Sequence, residues 1–268
     1  MYRLKSIKSK PLVSVIISAK KFDNFFLKAM RSIKNQTYKN IEVILTVEGD
    51  YNFFSKNLKK IFQKKIPYKI IKNKIPGFSH GLNVAIEKSK GEFLARIDTD
   101  DLSHRDRILK QVNFIIKNPE YSVVGTRAHA IDELGYKIKH MNLKFYQTDR
   151  EIKKVLPYRN PIYHSSVIIK KSMLFQYGAY KYDYYAQDHE LWIRLSLIKG
   201  IKFYNLPDTL YFYRRHPNQE TNIKNRWRAF YEIAGYLFRY FLITKNFKYI
   251  LGIFVVYPLF RIIKSKIF

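Results

Sequence analysis

The sequence predicts an α/β protein with a mostly parallel, Rossmann-like sheet that helices cover on both faces. Three mostly apolar runs support this prediction, and the first two are rich in β-branched residues: Leu12–Ile17, Ile41–Val47 and Phe93–Ile97. Runs with apolar residues on both faces are typical of strands buried on both sides, as in parallel sheets. Helical patterns separate the runs, and such alternation favours a parallel sheet between two helical layers.

The first half of the chain supplies most of the alternation. A helix that buries Phe26, Met30 and Ile33 follows the first strand, and Asn35–Asn40 connects it to the second. The next predicted elements are a helix over Phe53–Phe62, a strand over Tyr68–Ile71 and, after the break at Pro76 and Gly77, a helix over Ser79–Ser89.

A second lobe is predicted where the alternation fades. Ser103 and Asp106 have the spacing of a capping box, which predicts a helix start before the helix Arg107–Lys117. We expect one lobe over residues 11–126 and another over residues 127–217. The later predicted elements are strands over Ser122–Thr126, Val167–Ile169 and Leu210–Tyr213, a helix over Leu191–Leu197 and a turn at Leu206–Asp208.

Composition limits the class of protein. In 268 residues, 50 Lys and Arg against 21 Asp and Glu give a net charge of +29, which predicts a polyanionic neighbour such as nucleic acid or an anionic membrane. The 22 Tyr and 20 Phe suit both base stacking and a membrane interface. The lack of cysteine excludes disulfides and thiolate metal sites. The basic first ten residues lack the apolar core of a secretory signal, so we expect the first domain to stay in the cytoplasm.

The last segment, residues 218–268, is predicted to form basic, aromatic helices that associate with a membrane. Arg226–Lys245 mixes aromatic residues with arginines, and Tyr249–Phe260 is nearly free of charge. This apolar run is shorter than the roughly 20 residues that cross a bilayer, so an interfacial or re-entrant helix is favoured over core helices packed on the second lobe. Three cations follow the run: Arg261, Lys264 and Lys266.

A cluster of carboxylates ends the third apolar run. Asp98 and Asp100 point to the same side of an extended backbone, at the strand end where open α/β sheets place ligands. Two carboxylates at this spacing repel one another, and a hard divalent cation between them is the usual solution. The alternative is a solvated acidic turn.

Five segments, in order, spacing and residue type, resemble the family 2 glycosyltransferases. They are Val13–Ile17, Asn35–Val43, Gly91–Phe93, Asp98–Asp101 and Gln187–Trp192. Together they span roughly Pro11–Pro217. The resemblance implies the GT-A fold, in which a Rossmann-like nucleotide-sugar lobe joins an acceptor lobe, and sugar transfer with inversion that uses a divalent metal.

The resemblance also implies roles on the donor side. Asp98 and Asp100 occupy the Asp-x-Asp positions, with Asp100 as a direct ligand of Mn²⁺ or Mg²⁺ and Asp98 nearer the ribose. Asp101 would support the loop. Such an ion neutralises the charge that develops on a diphosphate leaving group. His216, in a segment after the last core strand, is a candidate ligand of the metal or the diphosphate.

Asp188 matches the position of the family's catalytic base, which takes the proton from an acceptor hydroxyl. Inversion requires attack from the face opposite the leaving nucleotide, so base and metal belong on opposite sides of the sugar. Gln187 replaces the Glu that usually precedes this Asp. The alternative is that Asp188 and Glu190 only begin a helix with favourable charge at its amino end.

The resemblance also implies which residues contact the base and the acceptor. Ala19 is predicted to line the nucleotide base and Glu48 to accept a hydrogen bond from it, which indicates a UDP-linked donor. His164, Glu190 and Trp192 are predicted on the acceptor side, and a hydrogen-bonded structural histidine is the alternative for His164.

The predicted function is metal-dependent transfer of a hexose or N-acetylhexosamine from a nucleotide diphosphate sugar to a glycan or lipid-linked acceptor, at the cytoplasmic face of the membrane. The high positive charge also suggests an alternative, a nucleic-acid-binding protein. That function would leave Asp98, Asp100 and Asp188 without a role, and the sequence contains no recognised nucleic-acid-binding motif. No nucleic acid is therefore expected as a partner. A catalytically silent protein of the same fold is the other alternative, because Val47 and Gln187 depart from the family pattern.

Overall fold

The computed structural model describes residues 10–63, 65–139, 144–181, 186–217, 219 and 226–257. Its strands are β1 Val13–Ala19, β2 Ile41–Val47, β3 Tyr68–Lys72, β4 Phe93–Arg96, β5 Leu102–Ser103, β6 Tyr121–Ile131, β7 Ile168–Lys170 and β8 Lys202–Arg214. Its helices are α1 Asn24–Lys34, α2 Tyr51–Phe62, α3 Phe78–Lys88, α4 Arg107–Lys117, α5 Asp149–Val155, α6 Lys171–Tyr177, α7 Gln187–Ser196, α8 Arg226–Thr244 and α9 Lys248–Val256. A 3-10 turn covers His164–Ser166.

The described strands form one sheet in the order β3-β2-β1-β4-β7-β6-β8-β5. The first four run parallel, with Val13 of β1 opposite both Ile41 of β2 and Phe93 of β4. Beyond β4 the sheet is mixed, because β7 is antiparallel to β4 and β6, and β5 is antiparallel to β8. The predicted α/β class is confirmed, and β6 crosses the predicted lobe boundary at residue 126 without a break.

Two hydrophobic cores cover the two faces of the sheet. Val15 and Ile17 of β1 lie in one core with α1, α2 and α4, whereas Ile16 between them lies in the other with α3 and α7. Successive side chains of a strand point to opposite faces, so an all-apolar strand must be covered on both. The run of apolar residues in β1 is explained by this double burial.

The predicted capping box at Ser103 is wrong. Ser103 lies in β5 opposite Tyr211 of β8, and α4 begins only at Arg107, with no side-chain cap bond from Asp106. Ser103 Oγ instead accepts a hydrogen bond from Arg107 Nε at 2.7 Å. A pairing with a distant strand therefore overrides the local capping pattern.

The predicted turn at Leu206–Asp208 is also wrong, because β8 continues through it. Leu206 lies opposite Thr126 of β6 and Thr209 lies opposite Arg127, so the residues between them bulge from the ladder. A bulge accommodates the proline, which has no N–H for the ladder. The bulge lets β8 continue to the candidate site at Arg214.

Helices α8 and α9 form an antiparallel hairpin on the second core. The ring centroids of Tyr240 and Tyr249 are 6.0 Å apart, and those of Trp227 and Tyr257 are 5.8 Å apart. Leu237, Tyr240 and Tyr249 are buried in the core that also contains α7. Core helices packed on the second lobe were the predicted alternative to membrane-associated helices. One side of the hairpin packs in this way.

The other side of this hairpin is exposed and rich in apolar side chains, with the exposed Arg228 and Arg239 among them. Among the described residues, more than half of the exposed large hydrophobic side chains lie on it: Trp227, Tyr231, Phe238, Leu242, Ile243, Phe247, Leu251, Phe254 and Val255. Within the described ranges, no helix combines the length and apolarity that crossing a bilayer requires. Residues 258–260 of the predicted apolar run and the predicted cations Arg261, Lys264 and Lys266 lie outside the described residues.

Candidate active site

A cleft of about 860 Å³ lies at the carboxyl ends of β1 and β4. Its walls come from the segments after β1 and β4, the end of β8, the 3-10 turn and the start of α7. Because parallel strands end at the same edge of a sheet, side chains from distant parts of the sequence meet there. Among the lining residues are Ser18, Lys20, Lys21, Asp98, Asp100, Asn160, His164, Gln187, Asp188, Tyr213 and His216.

Asp98 is held in place by two neighbours. Its Oδ1 accepts a hydrogen bond from Arg96 Nη2, and its Oδ2 accepts one from Ser165 Oγ. Burial alone would raise the pKa of Asp98, but the Arg96 guanidinium and these hydrogen bonds together lower it. Asp98 is therefore a fixed anion at the edge of the cleft.

Asp100 and His216 form a pair that faces the cleft. His216 Nε2 lies 3.0 Å from Asp100 Oδ2, and the Phe25 ring packs on the imidazole with 5.1 Å between centroids. The side chain of Asp100 is 29% exposed and that of His216 is 10% exposed. Burial and the charge of Asp98 raise the pKa of Asp100, and a cation in the cleft would relieve that repulsion.

Asp101 supports the loop that carries Asp100. It is fully buried, and its two oxygens accept hydrogen bonds from the Tyr211 hydroxyl at 2.5 Å and the Arg214 backbone N–H at 2.7 Å. Arg214 Nε also donates to the Asp100 carbonyl at 2.7 Å. These bonds tie the turn after β4 to the end of β8.

The carboxylate cluster fits a hard divalent cation. Ligand atoms of Asp98, Asp100 and Asp101 all lie within 4.8 Å of one another, and Mg²⁺ and Mn²⁺ prefer such oxygen ligands. Both oxygens of Asp98 and of Asp101 already accept hydrogen bonds from the protein. Asp100, with His216 beside it, is therefore the residue best placed to hold an ion.

Asp188 enters the cleft from the first turn of α7. Its Oδ2 accepts a hydrogen bond from Asn160 Nδ2 at 2.5 Å. Burial raises the pKa of Asp188 to about 6, although hydrogen bonds from the His189 backbone and Asn160 oppose the rise. A carboxylate with this pKa is deprotonated at neutral pH and basic enough to take a proton from a hydroxyl that becomes acidic in a transition state.

Gln187, next to Asp188, has an unsatisfied acceptor. Its Oε1 is buried, and no side chain or backbone group in the described ranges donates to it. Buried polar atoms normally have a partner, so a donor group on a ligand in the cleft would complete this site. An amide offers both an acceptor and a donor here, whereas a glutamate would offer acceptors only.

His164 lines the cleft as a neutral imidazole. Its Nε2 lies 2.5 Å from the Tyr180 hydroxyl. Burial, followed by the charge of Arg96, lowers the pKa of His164 to about 3. His164 therefore lies in the cleft and is also a hydrogen-bonded, neutral histidine, as the alternative described.

Two predicted acceptor-side residues do not reach the cleft. Glu190 is 1% exposed and forms an ion pair with Arg194, with Nε 3.2 Å from Oε1. Trp192 is fully buried, with its ring 6.3 Å from that of Phe203. Both lie on the buried side of α7. The predicted direct contact of these two residues with an acceptor is therefore replaced by a role in the packing of α7.

The predicted base-contacting residues are also displaced from the cleft surface. Ala19 is 2% exposed and packs in the core, while Lys20 and Lys21 beside it line the cleft. Glu48 Oε1 accepts a hydrogen bond from the Gly77 N–H at 2.8 Å, and neither Glu48 nor Ala19 is among the lining residues. Glu48 fixes the loop before α3, where Gly77 has a φ of 143° that favours glycine.

Sequence reasoning missed the residues that orient the carboxylates. Arg96 holds Asp98 from two residues away, whereas Asn160 and Arg214 bond Asp188 and Asp101 from 28 and 113 positions away. One signal was present, because a lone arginine in the apolar run before Asp98 would be buried without a partner unless it paired with a nearby carboxylate. The Asn160 and Arg214 contacts depend on the tertiary fold and had no local signal.

The fold and the cleft define an α/β enzyme whose polar ligand site lies at the carboxyl ends of parallel strands. Residues 14–177 match the family described as Glycosyl transferase family 2. The chain is 32% identical over 239 residues to the O-antigen biosynthesis glycosyltransferase WbnJ of Escherichia coli, covering 88% of this chain and 91% of that protein. It is 27% identical over 183 residues to the amylovoran biosynthesis glycosyltransferase AmsE of Erwinia amylovora, covering 68% and 67%. The chain belongs to glycosyltransferase family 2.

Two solved structures share its fold. One is Staphylococcus aureus TarS 1-349 in complex with UDP-GlcNAc, with a TM-score of 0.65, 14% identity, and coverage of 86% of this chain and 66% of that one. The other is the mannosyltransferase PcManGT from Pyrobaculum calidifontis in complex with GDP-Man and Mn²⁺, with a TM-score of 0.61, 16% identity, and coverage of 92% and 69%. This chain thus spans about two thirds of each neighbour, and the predicted GT-A fold is confirmed.

Proposed function

We propose that this protein is an inverting, metal-dependent glycosyltransferase that moves a hexose or N-acetylhexosamine from a nucleotide diphosphate sugar to a glycan or lipid-linked acceptor. The observation that carries the proposal is that Asp100 with His216, and Asp188 from a separate helix, line one cleft. Asp100 and His216 are suited to binding a diphosphate with its cation, and Asp188 is suited to act as a general base.

On the donor side, Asp98 lies nearer the ribose, and Asp100 and His216 would hold Mn²⁺ or Mg²⁺. That ion, when bound, neutralises charge on the diphosphate leaving group. Lys20 and Lys21 line the same cleft and add positive potential for the phosphates. A UDP-linked donor is favoured because the TarS complex contains UDP-GlcNAc, although PcManGT carries GDP-Man.

On the acceptor side, Asp188 is the general base. The acceptor oxygen forms a bond to the anomeric carbon, and its proton passes to the Asp188 carboxylate. The bond from that carbon to the diphosphate oxygen breaks, and its electron pair leaves with the nucleotide diphosphate. Attack opposite the leaving group inverts the anomeric configuration.

The relatives and the hairpin support the proposed pathway and location. WbnJ and AmsE are described as enzymes of O-antigen and amylovoran synthesis, which supports a role in surface polysaccharide, including lipopolysaccharide, synthesis. We place the protein at the cytoplasmic face of the plasma membrane as a peripheral protein. Residues 11–126 form the nucleotide-sugar lobe, and residues 127–217 form the acceptor lobe and contribute His216 to the donor side. Residues 218–268 contact an anionic membrane surface.

Asp100→Asn tests the metal and donor assignment. Because the variant removes charge but keeps the shape, we expect the fold to persist, the Mn²⁺-dependent rise in melting temperature with a nucleotide sugar to disappear, and transfer to fall at least about 100-fold. A panel of UDP- and GDP-sugars identifies the donor. Glu87→Gln is the control, since the Glu87 side chain is 63% exposed and pairs with its neighbour Lys88 at the surface.

Three outcomes separate the candidate functions. Metal-dependent donor binding that survives Asp100→Asn removes the metal role from this residue. Donor binding without turnover of any sugar in the wild-type protein indicates a catalytically silent protein. Salt-sensitive binding to DNA with no donor binding supports the nucleic-acid alternative, to which the net charge of +29 points.

A further inference from the structure

The two residues that follow Asp188 in α7 are both bonded to α8. The Tyr236 hydroxyl lies 2.7 Å from His189 Nδ1, and the Tyr240 hydroxyl donates to Glu190 Oε1 at 2.7 Å. Tyr236 and Tyr240 are four residues apart, so they lie on the same face of α8, one turn apart. One turn of α8 therefore holds the first turn of α7.

The partners of His189 fix the direction of its hydrogen bonds. His189 Nε2 lies 2.7 Å from the Leu156 carbonyl oxygen, which can only accept, so Nε2 carries the proton. Burial lowers the pKa of His189 to about 4, and the imidazole is neutral at pH 7. Nδ1 is then an acceptor, and the Tyr236 hydroxyl donates to it. His189 thus links the backbone after α5 to α8, with both ring nitrogens bonded.

Glu190 anchors the same turn from a second direction. Besides Tyr240, it pairs with Arg194, whose guanidinium also donates to the carbonyl oxygens of Tyr177 and Ala179 at 2.6 Å. Glu190 is 1% exposed, so loss of a partner leaves a buried polar atom unsatisfied. A change in the Tyr240 bond therefore acts on how α7 is seated.

We propose that α8 is a positioning element for catalysis: the hydroxyls of Tyr236 and Tyr240, through His189 and Glu190, fix the first turn of α7 and with it the Asp188 carboxylate. The inference rests on the proposed role of Asp188 as base. Neither tyrosine lines the cleft, so both act through α7. Within the described part of the chain, no hydrogen bond joins Tyr236 or Tyr240 to Asp98 or Asp100, so the donor half of the cleft should keep its affinity.

Tyr236→Phe and Tyr240→Phe each remove one hydroxyl and keep the ring. We expect the double variant to transfer sugar about 10- to 100-fold more slowly at saturating substrates, because small displacements of a catalytic group have effects of this size. Donor Kd from calorimetry should stay within about twofold of the wild-type value. Tyr231→Phe on the same helix is the control, since Tyr231 is 66% exposed. Rates are compared well below the lowest melting temperature in the set.

His189→Gln provides an independent variant. Glutamine keeps an N–H for the Leu156 carbonyl, but its carbonyl oxygen does not occupy the ring position of Nδ1, to which Tyr236 donates, so it should lower the rate as Tyr236→Phe does. Combining the two should add little, because both remove the same bond. His189→Gln by itself remains informative if one of the tyrosine variants folds poorly.

The outcomes keep this inference apart from the proposed function. A double tyrosine variant with the wild-type transfer rate overturns the positioning role, and so does one whose rate and donor affinity fall together. If Asp188→Asn loses transfer while the tyrosine variants do not, the base assignment stands and the positioning role fails. If Asp188→Asn transfers at the wild-type rate, the base assignment fails and the positioning role falls with it.

Discussion

At the scale of single residues, the three acidic side chains after β4 differ because their partners differ. Asp98 faces the Arg96 guanidinium and has a lowered pKa, whereas burial and neighbouring carboxylates raise the pKa of Asp100 and raise that of Asp101 further. The three carboxylates therefore have different roles. Asp98 is a fixed anion, Asp100 is repelled by its neighbours and would be stabilised by a cation, and Asp101 supports the loop from a buried position.

Deprotonation of Asp188 as pH rises should lower the stability of the fold and raise the transfer rate. Its pKa is about 6 in the folded protein and about 3.8 when unperturbed, because burial disfavours the charged form. The folded state is therefore weakened as pH rises from about 4 through 6, and Asp188→Asn should remove this loss. We expect the variant to be more stable than wild type at pH 8 by at most about 3 kcal/mol, with no difference at pH 4.

The same variant should lose transfer by about 10²–10⁴-fold, while the wild-type rate rises with pH through about 6 as the base loses its proton. Thermal unfolding between pH 4 and 8, with product formation measured in parallel, checks both effects. Asp208→Asn is the control, since Asp208 is 40% exposed and its pair with Lys110 lies at the surface. A stability gain that persists unchanged at pH 4 would show that the gain does not come from titration of Asp188.

At the scale of elements, two glycines of the hairpin make opposite predictions. A Cβ on Gly252 of α9 would lie 1.9 Å from the Pro157 carbonyl oxygen, whereas a Cβ on Gly235 of α8 would meet nothing within 4 Å. We expect Gly252→Ala to destabilise the fold by about 1–3 kcal/mol through this backbone clash. Gly235→Ala should stabilise it by roughly 0.5–1 kcal/mol, because alanine favours the helix.

Urea unfolding of both variants measures the difference. The pair is matched in chemistry and in helical context, so equal effects would mean that α9 does not sit against Pro157 as described. A destabilised Gly252→Ala protein with normal donor affinity would also locate the damage at the hairpin rather than at the donor half of the cleft.

Elements buried on both faces were predictable from the sequence, and contacts between distant elements were not. Ile41–Val47 was predicted with its observed bounds, because a short run with apolar residues on both faces is recognisable without tertiary information. Ser103 was misassigned because its environment is set by β8, and the Tyr211–Asp101 bond joins residues 110 positions apart. The candidate carboxylates could be found from strand ends, while Asn160 and Tyr236 could be found only from the fold.

At the scale of the whole molecule, charge and apolar surface meet at the hairpin. The exposed apolar residues of α8 recur at spacings that keep them on one side, from Trp227 and Tyr231 to Phe238 and Leu242. At the hairpin tip, Phe247 is 70% exposed, and the exposed Lys245 and Lys248 flank it. An aromatic ring beside cations suits the interface of an anionic bilayer, where each cation contributes about 1 kcal/mol.

This surface predicts binding to vesicles that contain an anionic phospholipid. Leu251→Ser with Phe254→Ser removes two half-exposed apolar side chains of α9 and should weaken vesicle binding by about tenfold or more, because burying each contributes about 1.5–3 kcal/mol at most. Phe175→Ser with Ile116→Ser is the control, since these side chains are equally exposed on α6 and α4. Cosedimentation should also weaken with salt and with neutral lipid. If both pairs of substitutions weaken binding equally, or the wild-type protein ignores vesicles at low salt, the hairpin is not the membrane-contacting surface.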